Sequence, residues 1–207
     1  LWDGGGEPHY PFVRHRFLAA LEDSGCTQAD TGWTPKHLLM HDQGQLIGVM
    51  PLYLKTHSYG EYVFDWAWAD AYRRHGLNYY PKLLGAIPFT PASGPRLALM
   101  PGEDVGHRIG QIKAFLSRSC QRHGWSSWHC LFYPRDQQPL WQAAAGDARP
   151  SLSRAGCQFH WFNRNYRDFD DFLDTFNSRK RKSVRKERRQ VIDSGVTLTR
   201  LVGEQIS

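Results

Sequence analysis

Phe12, Phe17, Leu18 and Leu21 recur at helical spacing and Gly25 follows as a cap, so residues 13–24 read as an amphipathic helix. Trp33–Asp42 reads as a strand, Gln43-Gly44 as a turn and Gln45–Lys55 as a second strand. The second strand is apolar on both faces, which predicts a hairpin with that strand inside a sheet. Tyr62, Phe64, Trp66 and Trp68 alternate with Val63, Asp65, Ala67 and Ala69, a period of two that predicts a strand. From Trp68 to His75 polar residues increase and a short helix is expected. Tyr79–Phe89 reads as a strand plus loop, and Pro88, Pro91 and Pro95 with Gly94 exclude a central strand there.

Val105, Ile109, Ile112, Phe115 and Leu116 predict a long helix ending near Gly124. Trp125–Tyr133 follows as a strand, Gln137–Ala145 as a short helix and Cys157–Phe162 as a strand. Phe169, Phe172, Leu173 and Phe176 make another helical face. Ser178–Asp193 is a strong helix former whose only apolar positions are Val184, Val191 and Ile192; Gly195 ends it and Val196–Leu201 reads as a closing strand. Helices and strands alternate throughout, which predicts the α/β class with a sheet covered by helices.

A chain of 207 residues, 41% hydrophobic, can bury a real core, and its mixed charge excludes a disordered polymer. The apolar stretches Leu46–Leu54 and Leu83–Pro95 both contain proline and fall short of the roughly 20 residues a membrane helix needs. Neither they nor the polar, glycine-rich opening Asp3–Pro8 predicts a membrane span or a signal peptide. Leu1 at the start predicts a piece of a longer chain. Cys26, Cys120, Cys130 and Cys157 form no CxxC pair and no disulfide framework, so reduced thiols and a cytoplasmic setting are expected.

Charge is concentrated. Eight Lys/Arg and one Glu lie between Arg179 and Arg189, a local excess that exceeds the +6 of the whole chain. On a helix Arg179, Lys182, Arg185, Lys186 and Arg189 share one side, with Lys180, Arg181 and Arg188 as a second group. Like charges this dense repel by a few tenths of a kcal/mol per i,i+4 pair, so an anion, polyphosphate above all, is the expected counterweight. The plain alternative is a solvated helix joining two domains, and one helix can do both.

Eight of the chain's aromatic residues lie between Tyr59 and Tyr80, mixed with Glu61, Asp65, Asp70 and Lys82. Tyr59, Trp66, Trp68, Tyr79 and Tyr80 have the amphipathic rings that line pockets for sugars, peptides and bases. The carboxylates suit binding of an amine or general-base work. Rings that fill a core and acids at strand ends are the structural alternative. His37 and His41 on one strand, and His129-Cys130 with Cys157–His160, carry no standard metal spacing, so no metal is expected. No Walker loop, dinucleotide fingerprint, nucleophile elbow or acetyl-CoA pyrophosphate loop occurs.

The stretches 17–25, 51–72, 79–83, 158–161 and 178–182 together resemble the FemAB-like peptidoglycan biosynthesis/recognition family of the GNAT acyltransferase superfamily. The resemblance covers nearly the whole chain. It implies an α/β, GNAT-like, mixed and mostly antiparallel sheet flanked by helices, with a long basic helix near the C-terminus. Residues 1–177 would be one GNAT-like domain, 178–195 the basic connecting helix, and 196–207 the start of a second half that this chain lacks. Acyl or aminoacyl transfer to an amine, such as a cell-wall peptide precursor, is then the expected activity. Asp65 or Asp70 would be the base, and Tyr59, Glu61, Trp66, Trp68, Tyr79, Tyr80 and Lys82 the substrate contacts. Arg179, Lys180, Lys182, Arg185, Lys186 and Arg189 would meet the phosphates of the donor, acyl-CoA or aminoacyl-tRNA. A non-catalytic module that recognises peptide, glycan or RNA is the alternative.

Overall fold

A computed structural model of the chain describes residues 10–143, 151–157 and 159–205; Asp3–Pro8 and the end of the helix expected at Gln137–Ala145 lie outside them. The chain divides into two compact units, Leu1–Gly156 and Cys157–Ser207.

The first unit opens with α1 (His15–Asp23), closed by Gly25 at φ +74°. The predicted strand Trp33–Asp42 is two strands, β1 (Trp33–Pro35) and β2 (Leu38–Asp42), and Gln45–Lys55 is likewise β3 (Gln45–Met50) and β4 (Tyr53–Lys55). Both segments change sheets at the same level. Pro51 has no N–H to continue a ladder, and the Leu52 N–H instead donates to the His37 imidazole while the Lys36 N–H donates to the Leu52 carbonyl. Gln43 and Gly44 both have positive φ, 46° and 83°, which makes the expected tight hairpin turn between β2 and β3.

β3 is central in a three-stranded sheet, ordered β2-β3-β6, where β6 is Ala98–Leu99. The other sheet runs β1-β4-β5-β7, with β5 at Lys82–Gly85 and β7 at Trp128–Cys130. β1, β4 and β5 are antiparallel, and β5 and β7 are parallel. The segment between β5 and β6 is irregular, as its prolines predict, and Arg96 pins it from within: its buried guanidinium donates to the carbonyls of Ala92, Gly94, Pro95 and Leu131.

The side-chain period of two sorts the four-stranded sheet's faces. On one face Leu52 and Leu83 join Ile109, Ile112 and Leu116 of α3 (Val105–His123), together with Trp141 of α4 (Gln138–Gln142), in the main core. α3 starts at Asp104, whose carboxylate accepts from the His107 N–H, and ends at Gly124 with φ +67°. On the opposite face lie Trp33, Tyr53, Leu84 and Ala86.

No strand forms at Tyr62–Trp68. Tyr62 and Phe64 take positive φ, 59° and 49°, and α2 (Trp66–Arg74) begins earlier than the sequence suggests. The alternation is real but belongs to a loop: Glu61 and Asp65 turn inwards and the rings turn out.

In the second unit, α5 (Phe169–Asp174) and α6 (Ser178–Asp193) carry the predicted helices. Asn177 caps α6 by accepting from the Lys180 N–H. The described residues of Cys157–Phe162 and Val196–Leu201 form no strand.

Candidate functional site

The β4–β5 register sets Lys55 directly opposite Lys82, on the face shared with Tyr53 and Leu84. Like charges facing each other across a ladder repel, and both side chains are fully buried. The loop after β4 answers this by sending in two acids. Lys82 Nζ lies 2.9 Å from Glu61 Oε2 and 2.6 Å from Asp65 Oδ2. Lys55 receives no carboxylate among the described residues; its ammonium donates to the Tyr59 carbonyl at 3.2 Å and sits 3.7 Å above the Trp33 ring.

Burial and the neighbouring Lys82 push Lys55 down to about 7, against the pull of Glu61 and Asp65. Burial alone would raise Asp65, but hydrogen bonds from Lys82, Ser58 and Tyr79 hold it down at about 2. Glu61 is raised, because burial outweighs Lys82, and its Oε1 has no hydrogen-bond partner among the described residues. His129 reaches the same face from β7, hydrogen-bonds Ser127 at 3.0 Å, and is driven down to about 4 by burial and then by Lys82.

Two tyrosines connect this charge cluster to the surface. Tyr79 donates to Asp65 Oδ2 at 2.6 Å. Tyr80 hydrogen-bonds Ser58, which donates to Asp65 Oδ1. Both phenols are raised by burial and kept protonated. They also line a shallow hollow of about 480 Å³ together with Ala69, Asp70, Arg73, Leu77 and Asn78. A hydrogen-bonded chain thus runs from the hollow through Tyr80, Ser58, Asp65 and Lys82 to Glu61.

Glu61, Asp65, Tyr79, Tyr80 and Lys82 are therefore brought together. Asp70 lies on α2 at the hollow's edge, outside the buried cluster, half-buried and paired with Arg73 at 2.6 Å and Arg74 at 3.0 Å. Tyr59, Trp66 and Trp68 are exposed, with the Tyr59 ring edge-on to Trp66 at 4.8 Å. Ser58 and Lys55 draw no notice in the sequence, and His129 draws it there only as a metal-ligand candidate. A lysine closing one apolar strand and another opening the next was the available signal for Lys55.

In the second unit α5 covers one side of α6. Arg181 pairs with Asp174 at 2.8 Å, Arg185 with Asp170 at 3.0 Å, and Arg188 stacks 4.1 Å from the Phe169 ring. Arg185, grouped by spacing with the outer charges, is drawn to this acidic side. Lys180 lies 5.8 Å from the Phe176 ring. Arg179, Lys182, Lys186 and Arg189 fall within about 80° of one another on the remaining side, exposed and without an ion pair among the described residues.

The sequence profile of the FemAB-like family, described as peptidoglycan biosynthesis/recognition, matches residues 1–207. This chain belongs to the FemAB-like family. No curated protein and no solved structure matches it. The FemAB-like family is one of peptidoglycan biosynthesis and recognition, which supports a cell-wall precursor as a partner of this chain. His37 ion-pairs with Glu22 at 2.8 Å, and no group of three or more His, Cys, Asp or Glu among the described residues is placed to hold a metal. The four cysteines are free thiols, with Cys120 and Cys130 pushed up by burial to about 11 and about 12. No described helix is long and apolar enough to cross a membrane.

Proposed function

We propose that this FemAB-like chain carries the acceptor side of an acyl- or aminoacyl-transferase that forms an amide on an amine of a cell-wall precursor. The observation that carries the reading is the hydrogen-bonded chain from Tyr80, at the hollow, to the buried acids. The amine nitrogen attacks the carbonyl carbon of an activated ester or thioester. A C–N bond forms, the C–O or C–S bond breaks, and the amine proton must leave. Tyr80 accepts it as its own proton passes to Ser58 and on to Asp65. Asp65, a weak base beside Lys82, returns the proton along the same path to the departing oxygen or sulfur. Asp70 and Arg73 line the hollow and give opposite charges for orienting the acceptor.

The donor is acyl-CoA or aminoacyl-tRNA, and its phosphates meet Arg179, Lys182, Lys186 and Arg189, supported by Lys180 and Arg185. In this reading residues 1–177 are a GNAT-like half, 178–195 its connecting helix and 196–207 the opening of a second half, working in the cytoplasm. The test is incubation with a precursor pentapeptide bearing a free lysine amine and either labelled donor, read by mass spectrometry. An amide product that falls about a hundredfold in rate with Tyr80→Phe is expected. Transfer from neither donor overturns the reading, and saturable binding of the pentapeptide without product assigns a recognition module instead.

A further inference from the structure

We propose that the loop from Tyr59 to Asp65 and the first turn of α2 form a docking surface for an anionic lipid bilayer. Tyr59, Tyr62, Phe64, Trp66 and Trp68 are 67%, 50%, 71%, 44% and 52% exposed. Five large rings within ten residues, left in water, exceed what a soluble surface normally scatters. Four of the five are Tyr or Trp, the residues that favour the headgroup level of a membrane, and the fifth and most exposed, Phe64, suits the hydrocarbon edge.

The backbone holds them out. Tyr62 and Phe64 both sit at positive φ, which bulky side chains avoid at a cost of about 1–2 kcal/mol each. What fixes them is on the inner side: Glu61 and Asp65 are locked to Lys82 on either side of these rings. Gly60 anchors the loop as well, since a Cβ there would lie 2.7 Å from the Phe89 ring, and its carbonyl accepts from the Phe89 N–H. α2 itself has no buried residue.

Charge selects the lipid. The two acids of residues 59–68 are buried, so the outer side of the loop presents no anion. Asp70 on α2 is shared by exposed Arg73 and Arg74, which leaves that helix end net positive. The surface adjoins the hollow and shares Asp70 and Arg73 with it, but its five rings carry the proposal without the transferase reading.

The test mixes the 207-residue chain with vesicles of equal parts phosphatidylglycerol and phosphatidylcholine. Flotation measures binding, and brominated lipid measures tryptophan quenching. Binding with quenching is expected, and Phe64→Ser with Trp68→Ser should weaken partitioning at least about tenfold. Tyr62→Ser alone should weaken it less, with an unchanged melting temperature showing that the fold persists. Vesicle binding that survives the ring substitutions but disappears in Lys182→Gln/Lys186→Gln overturns the proposal by assigning attachment to α6. Absence of vesicle binding overturns it too, as does ring quenching by a soluble muropeptide alone.

Discussion

The chain holds two concentrations of charge, and they obey different rules. In the first unit Lys55, Lys82, Glu61 and Asp65 lie out of water, so every missing partner is felt. In the second, α6 spreads its cations over a solvated helix, and among the described residues only Arg181 and Arg185 of α6 find carboxylates, both on α5. The buried group sets stability and pH response. The exposed group is worth tenths of a kcal/mol per pair and is free to serve a partner.

The sharpest way to break the contrast is Lys82→Met, which leaves two acids buried without their cation. It should cost about 3–5 kcal/mol by denaturant unfolding. Adding Glu61→Gln and Asp65→Asn should recover part of that loss, because the uncompensated charge goes with them.

Lys55 should behave in the opposite sense. Its pKa in the fold is held down at about 7, so between pH 7 and 9 the unfolded chain binds the extra proton and stability rises with pH. The slope is at most about 1.4 kcal/mol per pH unit. Lys55→Met should flatten that rise in melts taken across the range, and a slope unchanged by the substitution would assign it to another group.

Asp65 gives the acid counterpart. Its folded pKa of about 2 lies below the ordinary carboxylate value, so its contribution is complete above about pH 4 and disappears as pH falls towards 2. The loss should be about 2 kcal/mol. Asp65→Asn should remove this component, while Glu61, raised rather than lowered, contributes with the reverse sign.

The smallest effects belong to α6. A double-mutant cycle on Arg185 and Asp170 should give a coupling of about 0.2–1 kcal/mol, shrinking with salt. Lys182→Gln/Lys186→Gln should change stability by less than about 0.5 kcal/mol, yet flatten the salt dependence of any polyphosphate binding.

What could be read in advance follows the same physics. α3 and α6 are legible because α3 has a long apolar period and α6 a run of strong helix formers, with Asn177 starting α6 and Gly124 ending α3. In sequence Trp33–Asp42 and Gln45–Lys55 read as unbroken because the sheet exchange at Pro51 depends on a distant partner, the His37 imidazole. Tyr62–Trp68 reads as a strand in sequence because inward acids and outward rings imitate a pleat. Of the site, the acids, tyrosines and Lys82 stood out by type. Ser58 did not, since a lone serine acquires meaning only when Tyr80 and Asp65 arrive on either side of it.

The facing lysines also proofread strand pairing. Sliding β5 by one residue against β4 would turn the Lys82 ammonium towards Ile109, Ile112 and Leu116, away from Glu61 and Asp65. The arrangement that burdens the native sheet near neutrality thereby makes its nearest competitor worse still, and guards the chain against settling one step out of place.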